Sequence, residues 1–163
     1  MLVGVVSDTH NNLKNIKTII SLFNNKKVDL VVHTGDITTA KSLEEFSSLN
    51  CELFLVYGNN DREESGLEEV ANDHGFKIKE PPLKIIKNKR NIAIFHEPDE
   101  IGEFLEEYDD IQSILHGHTH RYREEYLKKT LVYNPGESAG MLKGKNAIGI
   151  INLLDLSAQR IFF

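Results

Sequence analysis

Residues 111–120 read "IQSILHGHTH". A short aliphatic run, Ile111–Leu115, leads straight into three histidines at alternate positions, His116, His118 and His120, with only Gly117 and Thr119 between them. An apolar run of that length bounded by glycine reads as a buried strand. Imidazoles at the end of such a strand are candidates for a ligand site, because open α/β sheets bind ligands outside the carboxyl ends of their strands. Residues two apart in extended backbone point the same way. His118 and His120 are therefore expected to face one pocket, with Gly117 letting the backbone come close.

The same junction recurs along the chain. Leu2–Val6 runs into "SDTH" with Asp8 and His10, "LVVH" at 30–33 runs into "TGD" with Asp36, and "LFLVY" at 53–57 runs into "GNND" with Asn59 and Asn60. "NIAIFH" ends on His96. Between these runs lie helical stripes: Leu13, Ile16, Ile19, Ile20 and Phe23; Leu43, Phe46 and Leu49; Ile101, Phe104, Leu105 and Tyr108. Capping-box patterns at Ser42–Glu45 and Ser65–Glu68 predict two helix starts, and Gly75 predicts a stop. After residue 120 the pattern changes. "REEYL", "LVYN", "AIGIINLL" and "QRIFF" follow one another as strands with no helix between, which predicts an antiparallel meander behind βαβ units.

The chain has 163 residues, 40% hydrophobic and 27% charged, with a formal net charge of −6. These values predict one α/β domain over residues 1–163. They speak against a stable nucleic-acid complex or an anionic membrane partner, both of which need a basic face. A small anionic substrate is compatible, because a bound metal reverses the local field. Cys51 is the sole cysteine, so no intrachain disulfide can form, and a reducing, cytoplasmic location is the expectation. The N-terminal residues lack the basic segment and the apolar length of a signal peptide, and no run approaches a membrane span.

The strand-end residues Asp8, His10, Asp36, Asn59, His96, His118 and His120 are too many for one tetrahedral zinc and include no thiolate. Mixed oxygen and nitrogen donors suit two borderline divalent cations such as Mn²⁺, Fe²⁺, Zn²⁺ or Ni²⁺, and Mn²⁺ or Ni²⁺ is the expectation in vitro. A central carboxylate, here Asp36, can bridge two such ions at about 3.5–4 Å, the spacing that holds a hydroxide and clamps a phosphate.

In order and spacing, "DTH" at 8–10, "GD" at 35–36, "GNND" at 58–61, His96 and "GHTH" at 117–120 resemble the calcineurin-like metallophosphoesterase signature. The short chain and "NPGE" at 134–137 are similar to its small phosphodiesterase branch. The resemblance implies a four-layer αββα sandwich with mixed sheets. It further implies one metal held by Asp8, His10, Asp36 and His120, and a second held by Asp36, Asn59, His96 and His118. Two positions depart from the family pattern. The family's "GNH" histidine, the candidate proton donor to the leaving oxygen, is here Asn60, whose amide can donate a hydrogen bond but no proton near neutral pH. The family's "HGH" is here "HEP", His96–Glu97–Pro98, which adds negative charge beside a phosphate site.

The resulting expectation is a dinuclear phosphodiesterase with an open site and a preference for small, activated or nucleotide-like diesters. A phosphomonoesterase and a metal-binding interaction scaffold of the same fold are the alternatives, and homo-oligomerisation is left open. His33 and His116 match no ligand position and are expected to be packed, and His74 to be exposed. Asp61 and Arg62 are expected to pair on the surface, and Asn60 is weighed equally as a turn residue and a phosphate holder.

Overall fold

The computed structural model describes residues 1–163 and contains two sheets. The chain begins with β1 (Leu2–Val6), α1 (Leu13–Lys26), β2 (Leu30–His33), α2 (Ala40–Glu45), a 3₁₀ turn at Phe46–Ser48, β3 (Glu52–Val56), α3 (Leu67–His74) and β4 (Lys77–Lys79). It continues with β5 (Leu83–Lys87), β6 (Arg90–Ile94), α4 (Ile101–Glu107), β7 (Ser113–Leu115), β8 (Arg123–Leu127), β9 (Thr130–Asn134), β10 (Ala147–Asn152) and β11 (Ala158–Phe162). The first sheet has the order β11-β10-β1-β2-β3-β4 and the second β5-β6-β7-β9-β8. Both are mixed. β1 to β4 run parallel, as do β6, β7 and β9, while β10, β11, β5 and β8 join antiparallel.

The period-2 alternation of side chains sets the layering. In β1, Val3 and Val5 point toward the second sheet, whereas Val6 faces helices on the outer side. Leu30 and Val32 of β2 meet Ile92, Ile94, Leu115, Leu131 and Tyr133 in a core between the sheets. On the far side of the first sheet, Val31, Leu53 and Leu55 pack under Ile16, Ile19 and Phe23 of α1 and under Leu43 and Leu67. Ala93, Ile114 and Val132 turn the other way, to Ile101 and Leu105 of α4. Helix, sheet, sheet, helix is the αββα arrangement that the family resemblance implied.

The structure corrects four local expectations. The last four strands form no single meander. β8 and β9 are a hairpin in the second sheet, β10 and β11 a hairpin in the first, and residues 135–146 cross between them. Alternation revealed the strands but not their sheets. β9 is buried along its whole length because it lies between β7 and β8, and β10 is buried because it lies against β1. The short strand β4 adds to the edge of the first sheet where only an interruption was read, its polar "KIK" carrying no apolar signal. α2 opens one turn earlier than the capping pattern placed it: Thr39 Oγ1 accepts the Ser42 N–H. α3 is entered through Gly66 at φ 87° rather than capped by Ser65, while Gly75 does end it. No helix is long and apolar enough to cross a membrane.

Leu30 is fully buried between the sheets, whereas Ile86 on edge strand β5 is 73% exposed. Leu30→Ala is expected to lower the free energy of unfolding by about 2–5 kcal/mol and Ile86→Ala to change it by less than about 0.5 kcal/mol, both measured by urea denaturation. Equal effects would contradict the two-sheet core.

Candidate metal centre

The carboxyl ends of the parallel strands in the two sheets meet along one edge, and the strand-end residues come together there. Asp8, His10 and His120 place one ligand atom each within 4.8 Å of one another, and Asp8, Asp36 and His96 do the same. Asp36 Oδ2 stands between the groups, 4.0 Å from His10 Nε2 and 3.5 Å from His96 Nε2. Asn59 Oδ1 lies 2.9 Å from His96 Nε2 and 3.1 Å from His118 Nδ1, which joins the exposed His118 ring to the cluster. His120 Nε2 lies 3.6 Å from Asp8 Oδ1.

The route to this convergence differs from the one the spacing suggested. His118 and His120 are not in extended backbone. They adopt left-handed φ of 66° and 56°, as do Asp8 (52°), His10 (45°) and Asp36 (59°). Such angles are uncommon for residues other than glycine and collect where a site over-determines the backbone. The two histidines accordingly part company, His118 stacking edge-on to His96 and His120 lying flat against His10. Gly117 makes the close approach expected of it. A Cβ there would overlap Ser7 Oγ and stand 2.9 Å from Thr34 Oγ1.

Asp61 holds the loops in place and was misread as a surface partner of Arg62. Its carboxylate is 1% exposed and accepts the N–H groups of Asp36 (2.8 Å), Gly58 (2.8 Å) and Thr38 (2.7 Å). Arg62 instead stands 3.6 Å from Glu80. An acid following "GNN" was the available signal, since Asp in turns commonly accepts nearby backbone N–H groups. Its longer-range partners have no trace in sequence spacing. Glu137, likewise unassigned a role by the sequence, is 1% exposed and lies 3.1 Å from His120 Nδ1.

Electrostatics fit a cation. Asp8 and Asp36 are 0% and 3% exposed. Burial, opposed by the Ser7 hydroxyl and the histidines, pushes the Asp8 carboxyl above its usual range. Burial would raise Asp36 as well, but hydrogen bonds from His96 and Asn60 hold it well below that range. Burial alone would lower His96, yet the Asp36 carboxylate and the Thr34 carbonyl raise it. The His96 Nε2 position is thus surrounded by acceptors. His10 Nε2 is buried with no hydrogen-bond partner while aimed at Asp36. A ring nitrogen without a partner beside two buried carboxylates is the donor set of a divalent cation.

His33 and His116 are packed, as expected. The Gly35 N–H donates to His33 Nδ1, which puts the ring proton on Nε2 to bond Thr9 Oγ1 at 2.9 Å. Burial pushes His33 down to about 3 and His116 down to about 4. His74 is exposed. Beside His96 a cavity of about 270 Å³ opens to solvent, lined by Arg62, Glu97, Asp99 and Glu100 among others. The segment between Asp61 and His96 is occupied by α3 and β4 to β6, with no inserted cap over the site.

Residues 1–158 match the family model of the calcineurin-like phosphoesterase superfamily domain. The chain belongs to this superfamily. As a calcineurin-like phosphoesterase it is a metal-dependent phosphoric ester hydrolase. It is 33% identical to phosphodiesterase MJ0936 of Methanocaldococcus jannaschii over 154 residues, 93% of each chain. It is also 27% identical to the probable metallophosphoesterase MJ0623 of the same organism, over 83% of this chain and 67% of that one. A solved archaeal phosphodiesterase superposes with a TM-score of 0.90 at 31% identity, covering all of both chains. Vps29 from Entamoeba histolytica, solved with zinc, shares the fold alone, with a TM-score of 0.70 at 15% identity over 99% of each chain.

Two outcomes follow for this phosphoesterase. Asp61→Ala leaves three N–H groups unpaired, two of them buried and one part-buried, and is expected to cost about 2–4 kcal/mol of stability by urea denaturation. A cost under about 0.5 kcal/mol would remove Asp61 from its anchoring role. The His33 pKa is about 6.5 in the unfolded chain and about 3 in the folded one, so the unfolded chain takes up the proton first as pH falls. Stability is full above about pH 6.5 and declines toward pH 3. His33→Gln is expected to flatten this slope by about 1.4 kcal/mol per pH unit, the linkage of one proton. An unchanged slope in a pH series of urea melts would contradict a neutral His33.

Proposed function

We propose that the protein is a dinuclear phosphodiesterase that hydrolyses small, activated phosphate diesters. The single observation that carries this reading is Asp36 Oδ2, one oxygen facing His10 on one side and His96 on the other. Asp8, His10, Asp36 and His120 would hold one cation, and Asp36, Asn59, His96 and His118 the other. Nitrogen and oxygen donors without thiolate suit Mn²⁺, Fe²⁺, Zn²⁺ or Ni²⁺, with Mn²⁺ or Ni²⁺ the expected ions in vitro. When bound, the pair supplies positive charge to clamp a phosphate and lowers the pKa of water to give a nucleophile.

The chain's own groups set the selectivity. Thr34 O accepts from His96 Nδ1 at 2.8 Å, which fixes the ring and turns Nε2 to the site. Asn60 donates its backbone N–H to Asp36 Oδ1 at 2.9 Å and its side-chain amide to Oδ2 at 2.7 Å. It thereby holds the shared carboxylate, and the same amide can hydrogen-bond a phosphate oxygen. It has no proton to give a departing alkoxide, so the leaving group must depart as an anion. Asp8, Asp36 and the exposed Glu97 repel a monoester dianion more than a diester monoanion. The lone Cys51 is half-buried and free, in keeping with a reducing, cytoplasmic setting.

Metal-stripped protein is expected to be inactive on bis(p-nitrophenyl) phosphate and to recover on addition of Mn²⁺ or Ni²⁺. The diester should be cleaved faster than p-nitrophenyl phosphate, and His118→Ala should abolish turnover. Full activity after stripping would sink the proposal, and faster monoester cleavage would reassign the enzyme as a phosphomonoesterase. Two cations bound without turnover of either ester would favour the scaffold. Asn60→His should raise the rate on alkyl diesters by up to about 10²-fold and change aryl diesters little, the mark of a supplied general acid. An equal gain on both classes would contradict the role given to Asn60.

A further inference from the structure

We propose that Glu137 is a positioning residue that makes cation binding beside His120 and ordering of the exposed Gly140–Lys145 loop a single event. This rests on the reading that Asp8, His10 and His120 hold a cation. Glu137 is almost wholly buried, and neither lysine nor arginine pairs with it. A buried carboxylate is tolerated only where hydrogen-bond donors replace water. Its two oxygens are divided between two structures. Oε2 lies 3.1 Å from His120 Nδ1, and Oε1 accepts the backbone N–H groups of Met141 and of Leu142, the latter at 3.1 Å.

With its Nδ1 proton given to Oε2, His120 presents Nε2 as a lone pair beside Asp8. A carboxylate on the far nitrogen fixes the tautomer and ring orientation of a metal-binding histidine and raises its basicity. At the other end, Met141 and Leu142 are 64% and 54% exposed. Their N–H groups have no partner outside Glu137. The flank of the loop is tied separately, by Asn12 to Ala139 O and Asn15 to Ser138 O, each at 2.8 Å. The loop tip and the ligand histidine thus share one side chain. Whatever fixes that side chain at one end favours the other, and the coupling is reciprocal.

Glutamine cannot make both connections. If its oxygen keeps the Met141 and Leu142 N–H groups, its NH₂ faces His120 Nδ1 and drives the ring proton to Nε2, the atom needed for the cation.

The test is limited tryptic cleavage of metal-stripped protein after Lys143 and Lys145, with cleavage after Lys129 in the β8–β9 turn as the internal control. Mn²⁺ is expected to slow cleavage at Lys143 and Lys145 by about five-fold or more and to leave Lys129 unchanged. Conversely, protein nicked after Lys143 should bind Mn²⁺ more weakly at one of its two sites by calorimetry. Glu137→Gln should weaken one site by about 10–100-fold, spare the second and abolish the protection. A merely structural role would lower both affinities together. Should the variant not fold, the two wild-type measurements decide alone. Mn²⁺ binding without protection of the loop overturns the inference, whereas absence of Mn²⁺ binding overturns the metal centre on which it rests.

Discussion

Two carboxylates, Asp8 and Asp36, are held out of water at the edge where the sheets meet, within the same group of potential ligands as His96. Like charges in that setting repel, and each loses hydration that only donors or cations replace. The surrounding structure answers this constraint. The backbone N–H of His118 reaches both oxygens of Asp8, at 3.2 and 3.1 Å, and Ser7 adds its hydroxyl. Asn60 bonds both oxygens of Asp36. His96 carries a raised pKa because a positive charge between acceptors is favourable there. The same gathering of acceptors suits a divalent cation.

Convergence of this kind opposes backbone preference. Left-handed φ at five of the seven strand-end ligand positions, and at Thr38 (79°), is a local cost of order 1 kcal/mol or more each. What offsets it is the rigidity of the parallel strands and the bonds between the loops they feed. Asp8 N–H donates to Gly35 O and His10 N–H to Asp36 O, so the first two loops are registered to each other. Asp61 registers the third to the second. Gly58 completes the junction, because a Cβ there would collide with the Asp36 carboxylate it approaches.

This division explains what could be read from the sequence. Most strand positions, the polar residue at the end of each strand and the packed character of His33 and His116 depend on local pattern, and local pattern survives in sequence. The layering was implied by the family resemblance, and the alternation in Val3–Val6 agrees with it by assigning two faces. Asp61 and Glu137 were missed because their partners are backbone N–H groups and rings brought near by folding. Neither carboxylate carries a spacing signature for that. The final hairpins were joined into one meander for a similar reason: a buried strand does not announce which sheet buries it. His118 and His120 reach the site from left-handed backbone, so the i, i+2 argument brought them there through a conformation that the structure does not use.

The frame and the chemistry are separable to a degree that matters for function. Chains with 15–20% identity keep the same layers, yet one is called a phosphoesterase and another Vps29, so the αββα scaffold does not fix activity. In this chain the residues that anchor the loops, Asp61, Glu137 and the Thr34 carbonyl, are inside the protein and tied to backbone. Asn60 and Glu97, to which the proposed function gives the leaving oxygen and the charge a substrate meets, are exposed at the mouth. Exchanging a mouth residue disturbs few packed contacts, whereas exchanging an anchor disturbs several loops together.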